Sequence, residues 1–334
     1  MNKIKATAIA HPNIALIKYW GKRNDELKIP TVSSISVTLD NLYTKTTVEF
    51  NEKFEEDKFS LNDKTVTGGV VLKRVIELLD LIRKHSKKNQ FAKVVSENNF
   101  PDAAGLASSS SAFAALTMAG CNAIGYGINK KEMSIIARQG SGSACRSIFG
   151  GFVEWKKGKK DDGTDSFAEQ IADEKHWEDF RIIVLIVNPK EKKIKSTEGM
   201  KISVNSSELY EAWIKASEND AGKIKQYLLE KNLTETGKIA EQNCLRMHSV
   251  MISSDPSLIY WNPETVTLID KIQAMQSNGL DLHFTIDAGP NIKIICQEKD
   301  VEKILNCLEQ APFIHDFVVC SPGKGAEIVD DHLF

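Results

Sequence analysis

The sequence predicts a two-domain protein in which strands and helices are mixed, and three observations lead there. At 334 residues the chain exceeds the roughly 100–200 that a single domain usually holds. Stretches of period-two alternation and stretches with apolar residues every three or four positions both recur along its length. A nearly continuous apolar run at 181–187 is followed by the charged stretch 189–195, which suggests a boundary between domains of residues 1–188 and 189–334.

Residues 6–10 form a candidate first strand, stopped by Pro12, which cannot continue a central strand. The connection after it sets Tyr19 and Trp20 beside Lys18, Lys22 and Arg23, and reads either as a ligand-facing segment or as a loop of snorkelling lysines. Residues 36–40 and 44–50 alternate as strands, with Thr46, Val48 and Phe50 on one side, and 58–66 read as a hairpin turning at Asn62-Asp63. Val71, Val75, Leu78 and Ile82 predict an amphipathic helix, whose basic end at 84–88 suits the negative pole of a helix C-terminus. A strand at 92–97, an alanine-rich helix to about residue 123 and a short helix at 133–138 follow. The run 181–187 has the length of a strand buried on both faces. Beyond it, 207–216, 224–231 and 264–277 read as helices, the last with Val266, Ile269, Ile272 and Met275 on one face. Strands are predicted at 282–286 and 292–297, and 317–320 with 326–329 read as a closing strand pair.

The 43 basic and 45 acidic side chains nearly cancel, so no overall basic excess recruits nucleic acid or anionic lipid. Six cysteines form no C-x-x-C pair, which argues against structural zinc and for core thiols in a reducing cytoplasm. The N-terminus lacks the apolar segment of a signal peptide, and no run approaches the roughly 18 apolar residues of a membrane span.

Three loops carry the chemistry. Residues 98–116 pass from small residues and glycine through Ser108, Ser109, Ser110 and Ser111 into a helix, which leaves backbone N–H groups and hydroxyls to hold an anion, most naturally phosphate. In 139–155, Gly140 and Gly142 alternate with Ser141 and Ser143, and Arg146 follows with a planar fork suited to carboxylate or phosphate. Asp287-Ala288-Gly289-Pro290-Asn291 sits between two predicted strands, where it reads as an ordinary turn or as the seat of a general base. No glycine-lysine pair is followed by serine or threonine, and neither G-x-G-x-x-G nor G-x-S-x-G occurs.

Pro101-Asp102-Ala103-Ala104-Gly105-Leu106-Ala107-Ser108-Ser109 resembles the P-x-x-x-G-L-x-S-S phosphate loop of the GHMP kinases. Together with Asn13-Ile14-Ala15, Lys18-Tyr19-Trp20-Gly21-Lys22, the loop from Gly140 to Arg146 with Phe149-Gly150-Gly151, and the Asp287 turn, it resembles the diphosphomevalonate decarboxylases of that superfamily over nearly the whole chain. The resemblance implies a two-domain α+β, GHMP kinase-like fold with the active site in the cleft between domains, usually in a homodimer. It implies ATP-dependent decarboxylation of (R)-5-diphosphomevalonate to isopentenyl diphosphate, ADP, phosphate and carbon dioxide, through phosphorylation of the 3-hydroxyl. By position, Asp287 would act on that hydroxyl as base or orienting carboxylate, Arg146 would hold the substrate carboxylate, and Lys22 would stand near the reacting groups. Asn13, Tyr19, Ser141, Gly142 and Ser143 would bind substrate, chiefly its diphosphate. Ala104, Gly105, Leu106, Ala107, Ser108 and Ser109 would receive ATP and Mg2+, the metal through Ser108, with Ser96 also on the nucleotide side. Magnesium that binds through phosphates needs no carboxylate cage.

Two departures stand out. Asp102 takes the place of the family's usual threonine, and is expected to pair with a cation rather than repel ATP. Thr197 lies where many bacterial members carry arginine, which leaves Lys195 as a candidate to complete the diphosphate site. A related kinase or decarboxylase acting on mevalonate or 5-phosphomevalonate, and a non-catalytic metabolite sensor, are the alternative readings.

Overall fold

The structure, a computed structural model, describes residues 5–100, 108–187, 194–308, 311 and 313–334. Pro12 separates strands of two different sheets, Lys5–Ala10 and Asn13–Ile17. What reads as a connection after the proline therefore begins with a strand, and every one of its residues is buried.

The first sheet has six strands, in the order Glu327–Val329, Lys5–Ala10, Thr44–Asn51, Phe91–Asn98, Lys58–Leu61 and Lys64–Thr65. Asn62 and Asp63 both adopt positive φ at its hairpin tip, as a two-residue type I′ turn requires. Helix Ser108–Ala123 packs on this sheet, and helices Gly69–Ser86 and Lys130–Gly140 pack against that helix and share its core. Val75, Leu78 and Ile82 meet Val48 and Phe50 in the core, as the two periodicities predict, whereas Val71 stays exposed.

Two further sheets of four strands run Ala168–Ala172, Phe152–Trp155, Ser34–Thr38, Asn13–Ile17, and His283–Ile286, Ile292–Gln297, Phe180–Ile186, Asp316–Cys320. They share a core in which Ile14, Ile35, Phe152 and Trp177 pack with Ile182, Val184 and Ile186. Ile183 and Leu185, on the other face of the same strand, join Phe284, Ile294 and the helix Pro263–Ser277. The strand is thus buried on both faces, which accounts for its unbroken apolar run.

Several elements differ from expectation. Helices expected at 207–216 and 224–231 are one helix, Tyr210–Leu229, whose buried stripe passes through the small residues Ser217 and Ala221 and so loses its apolar signal midway. Helix Leu233–Ile252 escapes a pattern search because its buried face carries Thr236, Gly237, Asn243, Cys244 and His248. Asp316–Cys320 and Glu327–Val329 do not pair with each other; each joins a different sheet. The boundary expected after residue 188 falls beside the undescribed segment 188–193, and sheet membership puts Phe180–Ile186 with the later strands.

Candidate active site

Asp287 follows directly on the strand His283–Ile286. Lys18 Nζ donates to its Oδ1 at 2.7 Å, and Lys293 Nζ lies 3.2 Å from Oδ2. Both lysine side chains are 2% exposed, against 30% for the carboxylate, so only the anion reaches the open side of the cluster. Burial alone raises a carboxyl, but Lys18 and Lys293 outweigh it and hold Asp287 well below the usual carboxylate range. Lys18 reaches this place because strand Asn13–Ile17 has a bulge between Ala15 and Ile17, an irregularity that re-aims the residues beyond it.

Arg146 sits on the short helix Ala144–Ser147, fully enclosed. Its Nε donates to Asn13 Oδ1 at 3.1 Å and to Ser36 Oγ at 3.0 Å, and its Nη1 donates to Ser34 Oγ at 2.6 Å. These acceptors are all neutral, and among the described residues no carboxylate forms an ion pair with the guanidinium. Asn13 is fixed in turn by donating to Ser147 Oγ and the Ser143 carbonyl, at 2.8 and 3.1 Å. Lys18 and Lys293 flank the carboxylate and Arg146 feels its charge, so among the described residues the cluster sets three cations against one carboxylate at low exposure. A buried charge without a counter-ion is costly, and an anionic ligand removes that cost.

Tyr19 packs on Trp155 with ring centroids 4.7 Å apart. Burial pushes its phenol above the ordinary value, which keeps it protonated as a donor. Gly142 makes room for that ring, since a Cβ there would lie 2.9 Å from the Tyr19 hydroxyl. Ser141 donates to Ser109 Oγ at 3.3 Å and so ties the Gly-Ser loop to the start of helix Ser108–Ala123. Residues Asp102, Ala104, Gly105, Leu106 and Ala107 lie outside the described residues.

Other expected residues are placed less directly. Ser96 is buried in the first sheet, its hydroxyl 2.8 Å from Thr46 Oγ1 in a cross-strand pair, so that contact is structural. Lys22 donates to Asp25 Oδ1 at 2.9 Å; the lysine on Asp287 is Lys18, four residues earlier in the same motif. Lys195 and Thr197 are both exposed at the start of helix Ser196–Ser206. Besides Lys293, two more cations are not marked out by the sequence: Lys28 donates to the carbonyls of Gln139 and Gly140, and Arg74 to that of Gly140 at 2.9 Å. Burial and the nearby Arg74 bring Lys28 down to about 8.

His248 lies behind the cluster, its Nε2 3.3 Å from the Ile286 carbonyl oxygen. Burial, and then Lys18, lower its pKa from 6.5 to about 4. The unfolded imidazole therefore takes up its proton at a higher pH than the folded one, and acid favours unfolding through this group. Going from about pH 7 to about pH 5 is expected to cost the wild type about 2 kcal/mol more than His248→Gln in equilibrium denaturation. Parallel pH profiles for the two proteins would refute this.

Comparison with known proteins shows the family and the fold. A family model described as the diphosphomevalonate decarboxylase-like N-terminal domain matches residues 10–168. A second, the mevalonate 5-diphosphate decarboxylase C-terminal domain, matches 182–321. The diphosphomevalonate decarboxylase of Candida albicans is 38% identical over 317 residues, 91% of this chain and 87% of that one. A solved structure of mevalonate diphosphate decarboxylase from Staphylococcus aureus superimposes with a TM-score of 0.93 at 37% identity, covering 98% of each chain. Another, described as "MDDEF in complex with MVAPP, AMPPCP and Magnesium", gives 0.92 at 39% identity over 98% of this chain and 99% of that one. With both halves matched in order and the two-domain fold shared, the chain belongs to the diphosphomevalonate decarboxylase family.

Proposed function

We infer that this protein catalyses the ATP-dependent decarboxylation of (R)-5-diphosphomevalonate to isopentenyl diphosphate, ADP, phosphate and carbon dioxide. One observation carries the reading at the level of residues: an ionised Asp287 bracketed by Lys18 and Lys293, beside an Arg146 that has only neutral oxygens around it. A tertiary hydroxyl is a poor leaving group, so ATP first phosphorylates the 3-hydroxyl. The C3–O bond to phosphate then breaks as the carboxylate leaves as carbon dioxide, and its electron pair forms the new double bond.

Asp287 accepts a hydrogen bond from the 3-hydroxyl and aims its oxygen at the nucleotide. Its depressed basicity suits orientation better than strong proton abstraction, which a loose phosphoryl-transfer transition state does not demand. Lys18 stands where negative charge builds on the transferring group. Arg146 orients the departing carboxylate, while Tyr19, Ser141 and Ser143 receive the diphosphate, with Lys22 and Lys195 as further cations at its edge. Ser108 and Ser109 face the nucleotide phosphates. Their hydroxyls fit a magnesium ion that takes most of its ligands from phosphates and water, and the ion supplies charge neutralisation there. We also take the enzyme as cytoplasmic, supported by cysteines that are all unpaired and mostly buried, and as a homodimer, supported by the resemblance alone.

The test incubates the purified protein with ATP, magnesium and, separately, mevalonate, 5-phosphomevalonate and 5-diphosphomevalonate, following carbon dioxide and orthophosphate. Stoichiometric release of both from the diphosphate is expected. Phosphorylated product without carbon dioxide would instead show a kinase, and binding without turnover a sensor.

A further inference from the structure

The two partners of the central ion pair hang from strands at the edges of different sheets: Lys18 follows Asn13–Ile17, and Asp287 follows His283–Ile286. A strand edge leaves backbone groups in need of partners, and here one helix supplies them to both. Within helix Leu233–Ile252, the Asn243 Oδ1 accepts the backbone N–H of Lys18 at 2.9 Å. Its Nδ2 donates to Ser217 Oγ at 3.0 Å and Asp220 Oδ2 at 2.9 Å, and Arg246 Nη1 donates to that same Asp220 oxygen at 2.7 Å. The amide of Asn243 therefore cannot flip without losing these bonds, and it is fully buried.

One residue on, Cys244 Sγ accepts the N–H of Ile286 at 3.0 Å and donates to its carbonyl at 3.3 Å. Ile286 is the residue before Asp287. Glu241, Cys244 and His248 are spaced three and four apart on one helix face, and they contact the N–H of Phe284 and both backbone groups of Ile286, as a neighbouring strand would.

We propose that helix Leu233–Ile252 is the gauge that sets the separation of Lys18 and Asp287, with Asn243 the positioning residue for Lys18 and Cys244 the positioning residue for Asp287. Neither side chain touches substrate in this scheme. The helix holds the two backbones in register, so a shift of either partner is transmitted to the reacting groups.

Steady-state kinetics on full-length variants test it. Asn243→Leu keeps the volume but removes the amide, and kcat is expected to fall about 100-fold while KM for ATP and for diphosphomevalonate each change by less than about threefold. Cys244→Val is expected to lower kcat about tenfold, and Cys244→Ser, which still accepts and donates, to keep most of it. If Asn243→Leu does not fold, the pair of Cys244 variants decides. A kcat within about threefold of wild type in Asn243→Leu, a loss that appears mainly in KM, or equal activity in the two Cys244 variants would overturn the proposal.

Discussion

Asp287→Asn is expected to lower kcat at least about 1000-fold, with little change in KM for either substrate. The amide keeps the size of the side chain but offers the 3-hydroxyl and the two lysines a single neutral acceptor. Lys18 and Lys293 would then face each other across the site without the charge that now separates them. Asp287→Ala goes further, because it removes the remaining acceptor as well as the charge and leaves the two buried lysines without the carboxylate between them, and its cost to folding is about 3–5 kcal/mol. Comparing single-turnover kinetics with urea unfolding separates the two effects. Activity within about tenfold of wild type in Asp287→Asn would remove the carboxylate from the mechanism.

Arg146→Gln is expected to lower kcat/KM for diphosphomevalonate by about 100- to 1000-fold while unfolding stability stays within about 1 kcal/mol of wild type. Its guanidinium is buried against neutral acceptors, so the folded protein bears a desolvation cost that an anionic ligand would return. Arg146→Lys is not expected to restore activity, because a single ammonium cannot serve Asn13, Ser36 and Ser34 and still present a fork to a carboxylate. A rise confined to KM for ATP would place the arginine on the nucleotide instead.

The sequence made the site legible where function imposes unusual residues at short range. The Gly-Ser loop, Arg146 and the turn at Asp287 stand out in one dimension, and the structure brings Asn13, Ser143 and Arg146 into direct contact. It hid what depends on long-range pairing. Lys18 and Lys22 sit four residues apart in one motif, and nothing local says which reaches Asp287, because the choice rests on a bulge at residue 16 and on Asn243 far along the chain. Lys293 reads as an interruption of the apolar strand Ile292–Gln297, and only the fold shows it turned to the carboxylate. Helix Leu233–Ile252 was invisible for a related reason: a face that satisfies strand edges is polar, and polarity in one dimension reads as solvent exposure.

The strand Glu327–Val329 completes the first sheet by pairing with Lys5–Ala10, through contacts such as Thr7 with Val329. On the ribosome, the early strand Lys5–Ala10 must wait for the much later strand Glu327–Val329 to emerge before its edge is covered. Until then the sheet under helix Ser108–Ala123 presents an open backbone edge, the kind of surface that recruits foreign strands. Synthesis order and sheet order oppose each other here, and closure of so long a loop slows the last step of assembly. The half of the molecule that carries helix Ser108–Ala123 is therefore made first and finished last.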